Sequence, residues 1–251
     1  MSHDHKTLAV TDEGGVLRVR LDRPDKGNPL DETMLSELGT LLAGLRERPD
    51  VRVLVLSGAG DDFCLGGGRA EMAELLAADP TGLALRRLGD RARAVCEALA
   101  AAEVVTIARV HGRTIGAGVA LALHCDLRVG TEDSRFRLPE LALGLPTTWG
   151  GALARLISEL GMSRVRELVL TADALDAQTA HRIGLLHRVV PSTDIDRVVD
   201  GWIRPTLRRS ASALRTSKAL LHAYSAPSRL ADVGLLDSHL LAVAVGETTG
   251  G

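Results

Sequence analysis

Apolar residues fall along the chain in two rhythms, one close to alternation and one with steps of three and four. Val16-Leu17-Arg18-Val19-Arg20-Leu21 nearly alternates and predicts a strand. Arg23-Pro24-Asp25-Lys26-Gly27-Asn28-Pro29 is rich in turn formers and predicts a loop. Asp31 then suits an N-cap for a helix with Met34, Leu35, Leu38, Leu41, Leu42 and Leu45 on one face, stopped by Pro49-Asp50. Val51–Leu56 reads as a buried strand, and Leu85, Leu88, Ala92, Val95 and Leu99 mark a second helix. Val104–Val110 is a further strand, followed by a helix from about Gly116 to His124 and short strands over Asp126–Val129 and Arg135–Leu138. After Gly144 the pattern is mostly helical, ending in a helix over Leu230–Val245. Strands alternating with helices, then a helical tail, imply an α/β core with a C-terminal helical part. Pro191-Ser192-Thr193 is the best boundary, dividing a core over residues 1–190 from a helical region over 191–251.

Composition narrows the function. Aromatics make up only 2% of the 251 residues, so the core is Leu, Val, Ala and Ile, and stacking platforms for nucleic acid are not expected. A net charge of -2 without any Lys/Arg-rich run argues the same way. Cys64, Cys96 and Cys125 lie far apart with no CxxC spacing, which disfavours a zinc site or disulfide framework and fits a reducing compartment. The polar start Met1-Ser2-His3-Asp4-His5-Lys6 lacks the apolar stretch of a signal peptide, and no apolar run reaches membrane-spanning length, so a cytoplasmic location is expected. His3 and His5 form a His-x-His pair, which reads more readily as a solvated tail than as a metal site.

The chemistry concentrates in two Gly-rich turns and one carboxylate. The turns are Leu65-Gly66-Gly67-Gly68 and Ile115-Gly116-Ala117-Gly118, and Glu140 follows in Leu138-Pro139-Glu140-Leu141. The second turn opens a helix, and the first leads into Ala70-Glu71-Met72-Ala73. Free N–H groups at such turns stabilise an anion, and two turns meeting at one point would form an oxyanion hole. Alternatively, the glycines serve only tight turns and close packing. Phe63 spoils a G-x-G-x-x-G after Gly58, and no P-loop, G-x-S-x-G or H-E-x-x-H occurs.

Five segments in order resemble the crotonase (enoyl-CoA hydratase/isomerase) superfamily. Leu21-Asp22-Arg23-Pro24-Asp25-Lys26-Gly27-Asn28-Pro29-Leu30 is similar to that family's L-N-R-P-x-K-x-N-A-L. Val53–Gly58 through Phe63-Cys64-Leu65-Gly66-Gly67-Gly68 is similar to a strand followed by F-S-A-G-A-D. Val110-His111-Gly112 through Cys125-Asp126 is similar to N-G-x-x-x-G-G-G-x-x-L-A-x-x-C-D. Phe136–Pro146 is similar to F-x-x-P-E-x-x-L-G-x-x-P, and Ala177–Pro191 to A-x-x-A-x-x-x-G-L-V-x-x-V-x-P. The resemblance spans roughly residues 8 to 245. It implies a spiral of ββα units, a C-terminal helical region that forms a homotrimer or a dimer of trimers, and an acyl-CoA substrate. Coenzyme A is then part of the substrate, and no separate cofactor or metal is expected. Carried over by position, the oxyanion donors are the backbone N–H groups of Leu65 and Ala117, and Glu140 is the acid/base. The coenzyme would run past Arg23, Lys26 and the turn with Gly66 and Gly67, with Gly116 in the second turn.

The chain departs from the family at two acidic positions. Hydratases of this family carry a second carboxylate where this chain has Ala120, so a single base is left. Each positioned acid or base contributes roughly 10²–10⁴-fold, so a hydratase should suffer from that loss. A Δ3→Δ2 enoyl-CoA isomerisation needs only one base and is the expected activity. The alternatives are a 2-enoyl-CoA hydratase in which Glu140 works alone and a non-catalytic acyl-CoA-binding protein. Gly68 replaces the aspartate of G-A-D, which loosens the turn and leaves space or a water near the acyl pocket. Trp149 either lines that pocket or packs, Glu71 reads as a solvated helix-face residue, and Cys64 and Cys125 read as packing.

Overall fold

The computed structural model describes residues 5–225 and, beyond them, residues 238, 240, 242, 243 and 245. His3 and most of the helix expected over Leu230–Val245 lie outside the described residues, although the five later ones that are described are helical or pack as such. The chain begins with a hairpin of β1 (Leu8–Glu13) and β2 (Val16–Leu21), turning at Gly14-Gly15, where both residues have positive φ. Helix α1 (Glu32–Gly44) starts where expected, the Asp31 carboxylate accepting the Met34 N–H at 3.0 Å. Strand β3 (Val53–Gly58) leads into α2 (Arg69–Ala78) and α3 (Leu83–Ala101). Then come β4 (Val105–Val110), β5 (Arg113–Ile115), α4 (Ala117–Leu123), β6 (Leu127–Thr131) and β7 (Arg135–Arg137). The remainder is α5 (Ala152–Leu160), α6 (Met162–Thr171), β8 (Leu175–Asp176), α7 (Ala177–Arg182), β9 (Arg188–Val190), α8 (Ile195–Arg208) and α9 (Ala211–Ser225).

Six strands form one sheet in the order β1-β2-β3-β4-β6-β9, parallel except for the β1–β2 pair. Its central strands are covered on both faces, which is why β3 reads as an unbroken apolar run. Leu17, Val19, Leu54, Leu56, Ala108 and Val110 face the main core with α1 and α3. Val16, Val53, Val55, Ile107 and Val129 face the opposite way and meet Ile195, Val199 and Ile203 of α8, spaced four apart on one helix face. A second, three-stranded sheet, β5-β7-β8, carries the loops that matter below. Strands β5, β8 and β9 were not expected, because two or three residues are too few to show a period. No helix among the described residues is long and apolar enough to cross a membrane.

Candidate active site

Three separate segments are joined into one rigid block. Asn28, fully buried with φ 54°, donates through Nδ2 to the carbonyls of Ala59 and Asp62, both at 2.9 Å. This ties the Arg23–Leu30 loop to the end of β3. Next, the Leu65 N–H donates to Gly27 O at 2.9 Å and the Leu30 N–H to Gly66 O at 2.9 Å. On the other side, Cys64 bridges Thr114 in parallel, and the Ile115 N–H donates to Cys64 O at 2.9 Å. The two Gly-rich turns therefore lie against each other. A methyl group on Gly66, whose φ is +100°, would come within 2.9 Å of Ile115 O and 3.6 Å of the Ala117 nitrogen, so only glycine lets them approach.

This geometry corrects one oxyanion donor. The Leu65 N–H is already used by Gly27 O and is not free to meet a ligand. Gly67 forms the parallel bridge to Leu30, and in that pairing Leu30 bonds to the residues flanking Gly67. The Gly67 N–H thus points away from Leu30 and has no partner among the described residues. Ala117 opens α4, where the first N–H groups of a helix have no intrahelical acceptor, and it likewise has no partner there. Gly66, Gly67, Gly116 and Ala117 all line one cavity of about 80 Å³.

Glu140 lines the same cavity. Its backbone carbonyl accepts the N–H groups of Leu143 and Leu145, both at 2.9 Å, which fixes the turn Leu141–Leu143 beneath it. Gly116 has φ +50°, and a methyl there would sit 3.0 Å from Glu140 Oε1, so this glycine makes room for the carboxylate. Glu140 Oε2 is buried with no hydrogen-bond partner among the described residues. Burial raises the carboxyl pKa above the ordinary glutamate value, and a hydrogen bond to its own backbone N–H partly opposes the shift. The other walls are mostly apolar, from Leu65, Met72, Ile115, Leu145, Pro146 and Trp149. Trp149 is thus a lining residue.

Ala120 lies one helical turn beyond Ala117 and is sealed from the cavity. It is 1% exposed, under Gly150, where a methyl would stand 3.8 Å from the Ala120 Cβ and 2.8 Å from Cys96 Sγ. Gly68 does not open space toward the acyl pocket. The side of Gly68 that lacks a side chain faces Glu71, whose carboxyl oxygen would lie 3.4 Å from a methyl placed there. Glu71 is half-buried rather than a solvated face residue, because its Oε1 accepts the Glu32 N–H at 3.1 Å and so caps α1. Its pKa is raised, first by burial and further by the like charges of Asp31, Glu32 and Glu74.

The two basic candidates stand outside the cavity wall. The Arg23 guanidinium pairs with Asp31, and its backbone N–H donates to Asn28 Oδ1 at 2.9 Å. Lys26 is exposed on the short turn Pro24–Lys26. All three cysteines are buried, and burial pushes each thiol up to about 12, in keeping with a packing role.

Comparison with known proteins identifies the family and the fold. The family model described as enoyl-CoA hydratase/isomerase matches residues 11–245. A probable enoyl-CoA hydratase of Mycobacterium tuberculosis is 31% identical over 214 residues, covering 85% of this chain and 80% of the relative. The crystal structure of a putative enoyl-CoA hydratase from Streptomyces coelicolor superposes with a TM-score of 0.83 at 30% identity, covering 100% of this chain and 89% of that one. A putative enoyl-CoA hydratase from Thermobifida fusca, solved in complex with acetoacetyl-CoA, superposes with a TM-score of 0.78 at 30% identity, covering 92% and 93%.

Proposed function

The chain belongs to the enoyl-CoA hydratase/isomerase family, and from that premise we propose that it moves the double bond of a 3-enoyl-CoA to the 2-position with Glu140 as its only acid/base. The observation that carries this reading is the isolation of Glu140: among the described residues it is the one carboxylate lining the cavity, and the neighbouring position on α4 is the sealed Ala120. The thioester oxygen would accept the N–H groups of Gly67 and Ala117. Glu140 would then take a proton from C2. The C–H electron pair moves into a dienolate whose oxygen those two donors stabilise, and the same carboxyl returns the proton to C4. A carboxyl with a raised pKa suits both halves, since it gives its proton back readily. Lys26, exposed beside the site, is the candidate contact for the coenzyme phosphates.

A second reading, hydration of a 2-enoyl-CoA by Glu140 alone, is favoured by the hydratase names of the relatives. The assay offers 3-enoyl-CoA and 2-enoyl-CoA separately and follows the absorbance of the conjugated enoyl thioester. Isomerisation makes the signal grow from the first substrate; hydration removes it from the second. Flat traces with retained ester binding would leave only a binding role. The exposed Leu220, Leu221 and Tyr224 of α9 support self-association as a homotrimer or a dimer of trimers. Light scattering that returns a monomer mass would remove that reading.

A further inference from the structure

We infer that this site is limited to acyl groups of about four carbons, and that the indole ring of Trp149 is the wall that sets the limit. The inference rests on the acyl-CoA reading above and narrows its substrate class. The cavity shared by Glu140, Gly67 and Ala117 measures about 80 Å³. An apolar cavity of roughly 150 Å³ takes a benzene ring, so this one has room for about three carbons, C2 to C4 of an acyl group whose thioester sits at the two N–H donors.

Trp149 closes the cavity beside one of those donors. Its ring atoms Cη2 and Cζ3 would lie 3.4 and 3.5 Å from a methyl on Gly67, and Met72 Cε presses on the same spot from α2. An acyl chain leaving a thioester held by Gly67 therefore meets the far edge of the indole. The ring does not swing out cheaply. It is 7% exposed, and its backbone is pinned, since a methyl on the neighbouring Gly150 would stand 2.8 Å from Cys96 Sγ in α3 and 3.8 Å from Ala120 Cβ in α4. Behind this segment the space is charged. Gly150 and Gly151 line a second cavity, of about 210 Å³, whose walls carry the ion pairs Arg93–Glu97, Arg155–Glu159 and Lys218–Asp126. A hydrocarbon tail driven past Trp149 and Gly150 would have to part those pairs. Trp149 is therefore a specificity-determining residue that acts through the bulk of its ring.

The test titrates butyryl-CoA, hexanoyl-CoA and octanoyl-CoA, which have no double bond to move, into the parent protein, Trp149→Ala and Trp149→Phe, and reads the affinities by calorimetry. In an open apolar channel each added CH₂ would strengthen binding about fourfold. Here the trend should run the other way, octanoyl-CoA binding the parent about tenfold more weakly than butyryl-CoA because the longer chain overpacks the cavity. Trp149→Ala should reverse that order and make octanoyl-CoA the tighter ligand. Trp149→Phe, which shortens the wall but keeps a ring in it, serves if the alanine variant fails to fold, and should bring hexanoyl-CoA level with butyryl-CoA. Octanoyl-CoA binding the parent as tightly as butyryl-CoA overturns the chain-length limit. A limit that survives both substitutions overturns the assignment to Trp149. Either result leaves the acyl-CoA reading intact. If no ester binds at all, the acyl-CoA reading falls, and the inference with it.

Discussion

Two consecutive turns of α4 stand in opposite relations to the cavity. Ala117 opens onto it and presents a backbone N–H; Ala120, one turn on, is packed beneath Gly150 and presents nothing. The first relation depends only on backbone shape, because any residue but proline at position 117 supplies an N–H if Gly66 and Gly116 let the turns close up. The second depends on a side chain, and alanine has removed it. One half of the site is therefore built from glycine geometry and survives changes of side chain. The other half rests on a single carboxylate, so the chemistry can change at one residue without changing how a thioester is held.

That contrast can be broken at each end. Glu140→Gln should lower turnover by roughly 10²–10⁴-fold while keeping ester affinity, since the amide fits the same space and transfers no proton. Steady-state rates beside a binding titration would check it, and unchanged turnover would end the assignment. Gly66→Ala strikes the other half: with φ +100° and Ile115 O only 2.9 Å from the new methyl, the turns must separate. A loss of about 10²–10³ in kcat is expected, the scale of a lost oxyanion donor.

Ala120→Glu sharpens the comparison by trying to restore the missing carboxylate. The position is 1% exposed and covered, so overpacking should cost about 1–3 kcal/mol in thermal or denaturant unfolding, with no gain in hydration. A gain in hydration without loss of stability would show that the Gly150 cover opens easily.

The smallest effect concerns pH. The pKa of Glu140 is raised in the folded protein by burial. Below the unfolded-state value of about 4.5 the group is protonated in both states and costs nothing. As pH climbs through the raised folded value, its ionisation weakens the fold. Glu140→Gln should therefore have a higher Tm than the parent at pH 8, with the gap closing toward pH 4. The rate itself should rise with pH through the same raised value, since the base must be ionised.

Much of this was legible in the sequence. The long periodic segments gave α1, α3 and β2–β4 to within a few residues, and Asp31 announced its helix by its cap. Glu140 and Ala117 line one cavity. Leu65 as a donor was misread for a specific reason. Which N–H of a four-residue glycine turn faces the ligand is decided by the register of the Leu30–Gly67 bridge, formed with a segment about 37 residues away, and no local pattern encodes that register. Glu71 was misread because its partner, the Glu32 N–H, belongs to another helix. Arg23 resembled a coenzyme contact by position, but its guanidinium is paired with Asp31.

The central claim is that one carboxyl both removes and returns the proton. Its most direct test is to give the enzyme 3-enoyl-CoA deuterated at C2 and to locate the label in the 2-enoyl product by mass spectrometry. A single buried base predicts that part of the deuterium lost from C2 appears at C4 of the same molecule. Complete loss of label to solvent, with the C4 proton drawn from water at every turnover, would mean that separate groups handle the two transfers and would contradict a one-base site.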